Sequence, residues 1–159
     1  MTPPKKMLVL NILEILKKYS DENHRLTQKE IIEYLKKDYS MDADRKAVRR
    51  NLTNLLEAGY PISSDETPRT KPDGETELMM TNWYLEREFT EPELRLLIDG
   101  LLFLNHIPQH QCRDLIDKLK GLSSCHFDAK VSHVKRLPEN RPVDKELFYT
   151  IETLNDAIS

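Results

Sequence analysis

The chain has 159 residues, 38% of them hydrophobic and 32% charged, with a formal net charge of −3 at pH 7. This composition is typical of a helical protein with a limited core, and no apolar run approaches the roughly 20 residues that span a bilayer. Two cysteines, Cys112 and Cys125, exclude a disulfide framework. The N-terminal apolar run contains Asn11 and Glu14 at helical spacing, which argues against a signal peptide, so we expect a cytoplasmic protein.

Charge is unevenly distributed along the chain, and only the N-terminal part has a basic excess. Residues 1–71 contain 14 Lys and Arg against 11 Asp and Glu, which gives +3. Residues 72–159 contain 10 against 16, which gives −6. The asymmetry decides little by itself, but it places any polyanion-binding surface in the first part of the chain.

The first 40 residues predict two helices separated by a polar turn. Apolar residues at helical spacing predict a first helix over about Pro4–Tyr19. Thr27 is a good N-cap for a second helix, and Glu30, three residues later, can complete a capping box. This second helix is expected to continue to about Asp38.

The stretch 44–62 predicts a third helix with two different faces. Asp42 or Asp44 can cap its start, and Gly59 can adopt the left-handed conformation that ends it before Pro61. At about 100° per residue, one stripe is apolar and contains Val48, Leu52, Leu55 and Leu56. The opposite side carries Lys46, Arg50, Thr53 and Glu57, with Arg45 and Arg49 at its edge. An apolar back with cations in the first two turns suits insertion into a polyanionic groove.

A β-hairpin is predicted directly after this helix. Its first strand is short, from Tyr60 to Ser63, and its second strand runs from Thr76 to Leu85. The residues from Asp65 to Glu75 are predicted to form a turn-rich loop that includes the turn pair Asp73-Gly74. Two helices joined by a brief turn, the second of them basic and followed by a hairpin, form the arrangement of a winged helix-turn-helix.

The C-terminal part of the chain predicts three further helices. Thr90 can cap a helix that is apolar around most of its circumference and that Pro108 ends. The next helix is predicted over about Gln109–Leu122 and the last over Val143–Ile158, while 123–142 is predicted to be a loop or a poorly ordered segment. The apolar helix needs more than one neighbour, so other helices of the chain cover it, or it forms part of a homodimer interface, or both.

The order and spacing of these elements resemble a known family. The segments LTQKEIIEYL, DRKAVRRNLTNLLEAGYPI and NWYLEREFTEPELRLLIDGLLF are similar to the N-terminal part of bacterial transcriptional regulators that carry a WYL domain. The resemblance covers most of 5–125 and implies a winged helix-turn-helix that binds DNA. The literal Trp83-Tyr84-Leu85 lies in the predicted hairpin and does not mark a WYL domain. The last predicted helix resembles the segment that leads into that domain, so the resemblance also implies that the WYL domain itself is absent.

We therefore expect a mainly α, α+β fold in which a winged helix-turn-helix with a two-stranded wing is followed by a helical extension. The expected domains are a DNA-binding domain over 1–88, a helical hairpin for packing or dimerisation over 89–125, and a loop and linker helix over 126–159.

The expected function is that of a sequence-specific DNA-binding transcriptional regulator, with 44–58 as the recognition helix in the major groove and the wing on the DNA backbone. The residues expected to contact bases are Lys46, Arg49, Arg50 and Thr53. The residues expected to contact phosphates are Thr27, Gln28, Lys29, Arg45, Arg69 and Lys71. The expected partners are double-stranded DNA and a second copy of the chain, bound through the helical region after the wing. No membrane partner is expected.

Two of these assignments have a purely structural alternative. The cations of the third helix can form a solvated face on which they pair with Asp44 or Glu57. Thr27 can cap the second helix without contacting a phosphate.

Other classes of function have less support in the sequence. The main alternative is a winged-helix module for protein association, which would use the apolar fourth helix and the acidic C-terminal part. His106, His110, Cys112, Cys125 and His126 lack the spacing of a metal site. The chain has no glycine-rich phosphate loop, GxSxG or HExxH motif, so we predict no cofactor, no catalytic residue and no enzyme.

Overall fold

The computed structural model of the chain describes residues 5–70, 72, 74–104, 107–131 and 157. Its helices are α1 (Leu8–Tyr19, after the short 3-10 turn Lys5–Met7), α2 (Gln28–Tyr39), α3 (Arg45–Glu57), α4 (Glu91–Phe103), α5 (Gln109–Lys120) and α6 (Phe127–Lys130). The strands β1 (Ile62–Thr70) and β2 (Thr76–Leu85) form a two-stranded antiparallel sheet. The protein is therefore mainly helical with an α+β composition, as the sequence predicts. None of the helices in the described ranges has the length and apolar character needed to cross a bilayer.

The described chain divides into two compact units. One lies within 1–88 together with 123–125, and the other within 89–122 together with 126–159. In the first unit, α1, α2, α3 and the hairpin share one core. Its fully buried side chains include Ile12, Leu16, Ile31, Leu35, Val48, Leu52 and Trp83. Most of these residues belong to the apolar stripes of the three helices, so burial of the stripes explains why the helices pack together.

Short-range signals determine where the helices begin. The hydroxyl of Thr27 accepts the N–H of Glu30, and the Glu30 carboxylate accepts the N–H of Thr27 at 2.7 Å, which completes the predicted capping box. Thr90 and Glu93 form an equivalent box at the start of α4. Asp44, one of the two predicted candidates, caps α3 by accepting a backbone N–H at 2.7 Å.

Gly59 ends α3 in the left-handed conformation that the sequence predicts, with φ of +79°. The N–H of Gly59 donates to the Leu56 carbonyl and the N–H of Tyr60 to the Leu55 carbonyl, each at 3.0 Å. These two bonds form a Schellman motif, which satisfies carbonyls that a helix end otherwise leaves without partners. Pro61 follows and leads the chain directly into β1.

The hairpin is longer than predicted. The expected loop over 65–75 is wrong at 65–70, because β1 pairs with β2 as far as Thr70, which lies opposite Thr76. This stretch lacks the alternation of apolar and polar residues that predicts a strand, and the pairing with β2 supplies the missing stabilisation. Pro68 is accommodated because each strand of a two-stranded sheet has a free edge that needs no donor.

A β-bulge keeps the apolar side of the hairpin on the core. The register shifts between Ser63 and Asp65, where β2 contains one residue more than β1. Asn82 lies at this point with φ of +53°, a conformation that asparagine tolerates better than most residues. Because a shift of one residue changes the side of a sheet, the bulge lets Met80 pack against the core that also contains Ile62.

Polar contacts around Asp21 attach 123–125 to the first unit. Ser124 Oγ donates to the buried Asp21 carboxylate, and the N–H of Cys125 donates to the Lys18 carbonyl at 2.9 Å. The same carboxylate accepts two backbone N–H groups of the turn that follows it, each at 2.9 Å. The buried charge is therefore well satisfied by hydrogen bonds.

The second unit has a small core of its own. It contains Leu94, Ile98, Ile107, Cys112, Ile116, Phe127 and Val131. The predicted loop over 123–142 is wrong at α6, which forms because Phe127 packs into this core. The last predicted helix, 143–158, lies outside the described residues apart from 157.

Candidate nucleic-acid interface

α3 separates a buried apolar stripe from an exposed basic side. The buried residues of this helix are Val48, Leu52 and Leu55. Its exposed cations are Arg45, Lys46, Arg49 and Arg50. The stripe anchors the helix in the core of the first unit, so its position does not depend on the charged side chains. All four cations remain accessible to a partner.

The uncharged polar residues of α3 differ in their accessibility. Thr53 is half-buried, whereas the other three residues predicted to contact bases are exposed. The Asn51 side chain donates to the Ala47 carbonyl at 2.8 Å and is therefore occupied within the helix. Asn54 is exposed and remains accessible beside the cations.

Three of the four cations have no acidic partner in the part of the chain that the structure describes. Among the described residues, no ion pair joins Arg45, Lys46 or Arg50 to a carboxylate. The alternative in which they pair with Asp44 or Glu57 is therefore not seen, and Asp44 instead caps the helix. Cations without a partner need not break an existing contact before they bind a phosphate.

Arg49 differs from the other cations because it contacts the hairpin. Its Nη2 atom lies 3.7 Å from Oε1 of Glu77 in β2, and the two side chains are 47% and 45% exposed. Glu77 lies opposite Arg69 in the register of the two strands, and directly opposed side chains share one side of a sheet. Arg69 is exposed, and its Nη1 atom lies 3.6 Å from Met79 Sδ. Two cations and one acid thus belong to the region where α3 meets the hairpin.

Sequence reasoning missed Glu77. Its position relative to Arg49 depends on the register, which in turn depends on a connection of five residues, 71–75, between the strands. The turn pair Asp73-Gly74 gives no unambiguous indication of that length. Besides Arg69, the sequence predicts a phosphate contact for Lys71, which lies outside the described residues.

The N-terminus of α2 carries the remaining residues predicted to contact phosphates. The Thr27 hydroxyl and the Thr27 N–H both donate to one carboxylate oxygen of Glu30, each at 2.7 Å. A carboxylate therefore already satisfies this end of the helix. Gln28 is half-buried, and Lys29 is exposed with its Nζ 3.8 Å from Glu33 Oε1. Phosphate contacts by these three residues stay a prediction.

Within the described ranges, no group of three or more His, Cys, Asp or Glu side chains is arranged to hold a metal ion.

Comparisons of the chain with protein-family models, with curated proteins and with solved structures find no match. The functional assignment therefore depends on the surface of α3 and the hairpin.

Proposed function

We propose that the chain is a sequence-specific DNA-binding transcriptional regulator in which α1–α3 and the hairpin act as a winged helix-turn-helix. The observation that carries this proposal is the exposed basic side of α3 above its buried apolar stripe. In the proposed complex, α3 lies in the major groove and the hairpin contacts the backbone. The same proposal includes membership of the WYL-domain regulators, whose N-terminal segments this chain resembles.

The charged residues fall into two roles in this complex. Lys46, Arg50 and Thr53 face the base edges, and Arg49 flanks them at the edge of this side of the helix. Arg45 at the first turn of α3 and Arg69 on β1 contact phosphates. These contacts position the protein but do not read the base sequence. Arginine suits the first role because its guanidinium can donate two parallel hydrogen bonds to guanine.

The attachment of the hairpin supports a role as a wing. β1 begins five residues after the end of α3, and β2 is bonded to the turn that precedes α2. In that second contact, the backbone groups of Leu26 and Trp83 exchange two hydrogen bonds of 2.8 Å. Trp83 is fully buried, so the base of the hairpin is held against the helices. The wing therefore has a defined direction relative to α3.

Charge reversal on α3 tests the proposal. We expect the double variant Lys46→Glu, Arg50→Glu to bind a labelled duplex about 100-fold or more weakly at low salt, because it replaces two attractive contacts with repulsion. Cations in the groove also replace DNA counterions, so losing two of them makes the slope of log K against log salt shallower by up to about 2. Fluorescence anisotropy with a mixed-sequence 30-base-pair duplex at two salt concentrations measures both quantities.

A matched control separates a local contact from net charge. The double variant Lys36→Glu, Lys37→Glu makes the same change of charge at two exposed positions near the end of α2. We expect it to lose much less affinity, and both variants to keep the circular dichroism of the parent. Equal losses in the two variants would contradict the proposed role of α3.

Sequence specificity requires a separate experiment. Selection from random duplexes should enrich one sequence that binds at least about 10³-fold more tightly than unselected DNA. If affinity stays in the micromolar, non-specific range for every duplex, the assignment as a sequence-specific regulator is wrong.

The alternative, a winged-helix module for protein association, is favoured by one observation on α4. Leu96 and Phe103 are 73% and 83% exposed, although both are large apolar residues. Such residues are typical of interaction surfaces when they cluster. Protein association without specific DNA binding becomes the better assignment if selection from random duplexes enriches no sequence.

The proposed regulator also forms a homodimer through the helical region after the wing, because a two-fold symmetric operator requires two copies. Exposed Leu96 on α4 gives this interface an apolar contact. We expect sedimentation velocity to show a dimer that Leu96→Asp converts to a monomer, with folding of the first unit unchanged. A parent chain that remains monomeric at the highest concentration tested would contradict the dimer.

A further inference from the structure

Glu77 belongs to the same surface as two cations of the proposed interface. It contacts Arg49 at 3.7 Å, and it lies opposite Arg69 in the register of β1 and β2. Both arginines are exposed, and both are predicted to contact DNA. A carboxylate at this position is unexpected on a surface that binds a polyanion.

The carboxylate of Glu77 opposes a DNA phosphate in two ways. In the free protein it is the partner of Arg49, so Arg49 must exchange this contact before it binds a phosphate. It also places a negative charge beside the approaching backbone, and like charges repel each other. About half of each side chain is exposed, so solvent screens the pair and the exchange costs little.

We propose that Glu77 is a positioning residue that holds Arg49 against the hairpin in the free protein and yields it to a backbone phosphate in the complex. This inference rests on the proposed DNA-binding function. It places Arg49 at the backbone, between the groove and the wing, whereas Lys46 and Arg50 have no described acidic partner and are left to read bases. A phosphate is the same for every base pair, so Glu77 weakens binding to all duplexes by the same factor.

Neutralising the carboxylate tests the proposal. We expect Glu77→Gln to bind a mixed-sequence 30-base-pair duplex about two- to fivefold more tightly at low salt, the range that an exposed ion pair supports. The slope of log K against log salt should change little, since Arg49 contacts the same phosphate in the complexes of the parent and of the variant. Affinities for the selected and the mixed-sequence duplex should rise by the same factor.

Two further variants make the effect specific to Arg49. Glu66→Gln changes the net charge equally at an exposed position of β1, and we expect a smaller effect from it. In an Arg49→Gln background, Glu77→Gln should have a smaller effect than in the parent, because the competition for Arg49 no longer exists and only the direct repulsion of the phosphate remains. Circular dichroism should be unchanged in every variant, since all three side chains are exposed.

The outcomes distinguish the two proposals. Duplex binding by the parent with identical effects of Glu77→Gln and Glu66→Gln overturns the role of Glu77 and leaves the DNA-binding function intact. An equal gain from Glu77→Gln with and without Arg49 also overturns it. Absence of duplex binding by the parent and by every variant overturns the proposed function and this inference together.

Discussion

Replacing Asp21 should destabilise the first unit, because this carboxylate joins two distant parts of the chain. It accepts two backbone N–H groups at 2.9 Å and the Ser124 hydroxyl, and His24 Nδ1 lies 2.8 Å from its Oδ1 atom. Only 6% of Asp21 is exposed. The partners lie at positions 23, 24 and 124, so the carboxylate holds a segment about 100 residues away in sequence.

The structure gives the size of the effect. Hydrogen bonds to a charged group contribute about 1.5–3 kcal/mol each, and a buried donor left without a partner costs about 1–3 kcal/mol. Solvent reaches the partly exposed His24, so the separate values do not add fully. We expect Asp21→Ala to lower the free energy of unfolding by about 2–4 kcal/mol, and Asp21→Asn by about 1–2 kcal/mol because its oxygen still accepts backbone N–H groups.

The same contacts predict how stability depends on pH. Burial alone raises the pKa of the Asp21 carboxyl, but hydrogen bonds from Ser124, His24 and the Asn23 N–H outweigh it, so the pKa lies below its ordinary value of 3.8. Because folding lowers this pKa, the ionised carboxylate stabilises the native state fully above the unfolded value. That contribution is lost as the pH falls through the folded value. The Asp21 charge also partly offsets the burial that lowers the pKa of the Arg87 guanidinium.

Urea titration followed by the emission of Trp83 measures this effect. Trp83 is the only tryptophan of the chain and is fully buried in the same unit as Asp21. The free-energy difference between the parent and Asp21→Asn should be constant from pH 7 to about pH 5 and shrink below pH 4. Ser124→Ala serves as the partner variant, and a double-mutant cycle should show coupling of about 1 kcal/mol. Identical stability at pH 7, or a difference that does not change with pH, would refute this reasoning.

Three further predictions concern the helices of the first unit, with unfolding measured in the same way. Leu52→Ala removes a fully buried side chain on α3 and should cost about 2–5 kcal/mol; a loss below about 1 kcal/mol would contradict the packing of this helix. Gly59→Ala should cost about 1 kcal/mol although nothing lies within 4 Å of the added Cβ, because φ is +79°. An unchanged stability would show that the left-handed conformation is not required. Thr27→Ala removes the capping box of α2 and should cost about 1 kcal/mol, whereas Gln28→Ala at the next position should cost little.

The helices of the first unit could be predicted closely because their signals are local. A cap such as Thr27 acts on an N–H three residues away, and Gly59 acts on carbonyls within the last turn of α3. The apolar stripe of α3 repeats within one helix, so its burial follows from the period of the sequence. The same reasoning places the exposed cations, since they lie opposite the stripe.

The hairpin could not be predicted to the same detail. The residues from Asp65 to Thr70 are mostly polar and include Pro68, so they lack the alternation of apolar and polar residues that marks a half-buried strand. Their structure follows from pairing with β2, which lies beyond the turn. The ion pair between Arg49 and Glu77 follows from that pairing and was therefore missed.

The direction of the hairpin depends on residues far from the proposed DNA contacts. Arg25, in the turn between α1 and α2, pairs with Asp65 of β1, and its guanidinium lies 4.7 Å from the centre of the Tyr84 ring. Asn82, in the bulge of β2, donates to the same carboxylate at 2.9 Å. Three separate segments thus meet at one side chain, close to the point where the register shifts. Since the bulge decides which residues of the hairpin face the core, this contact also fixes the side of the hairpin on which Glu77 and Arg69 lie. A basic helix alone is therefore an incomplete description of the candidate site, because the turn that precedes α2 sets the position of the hairpin beside it.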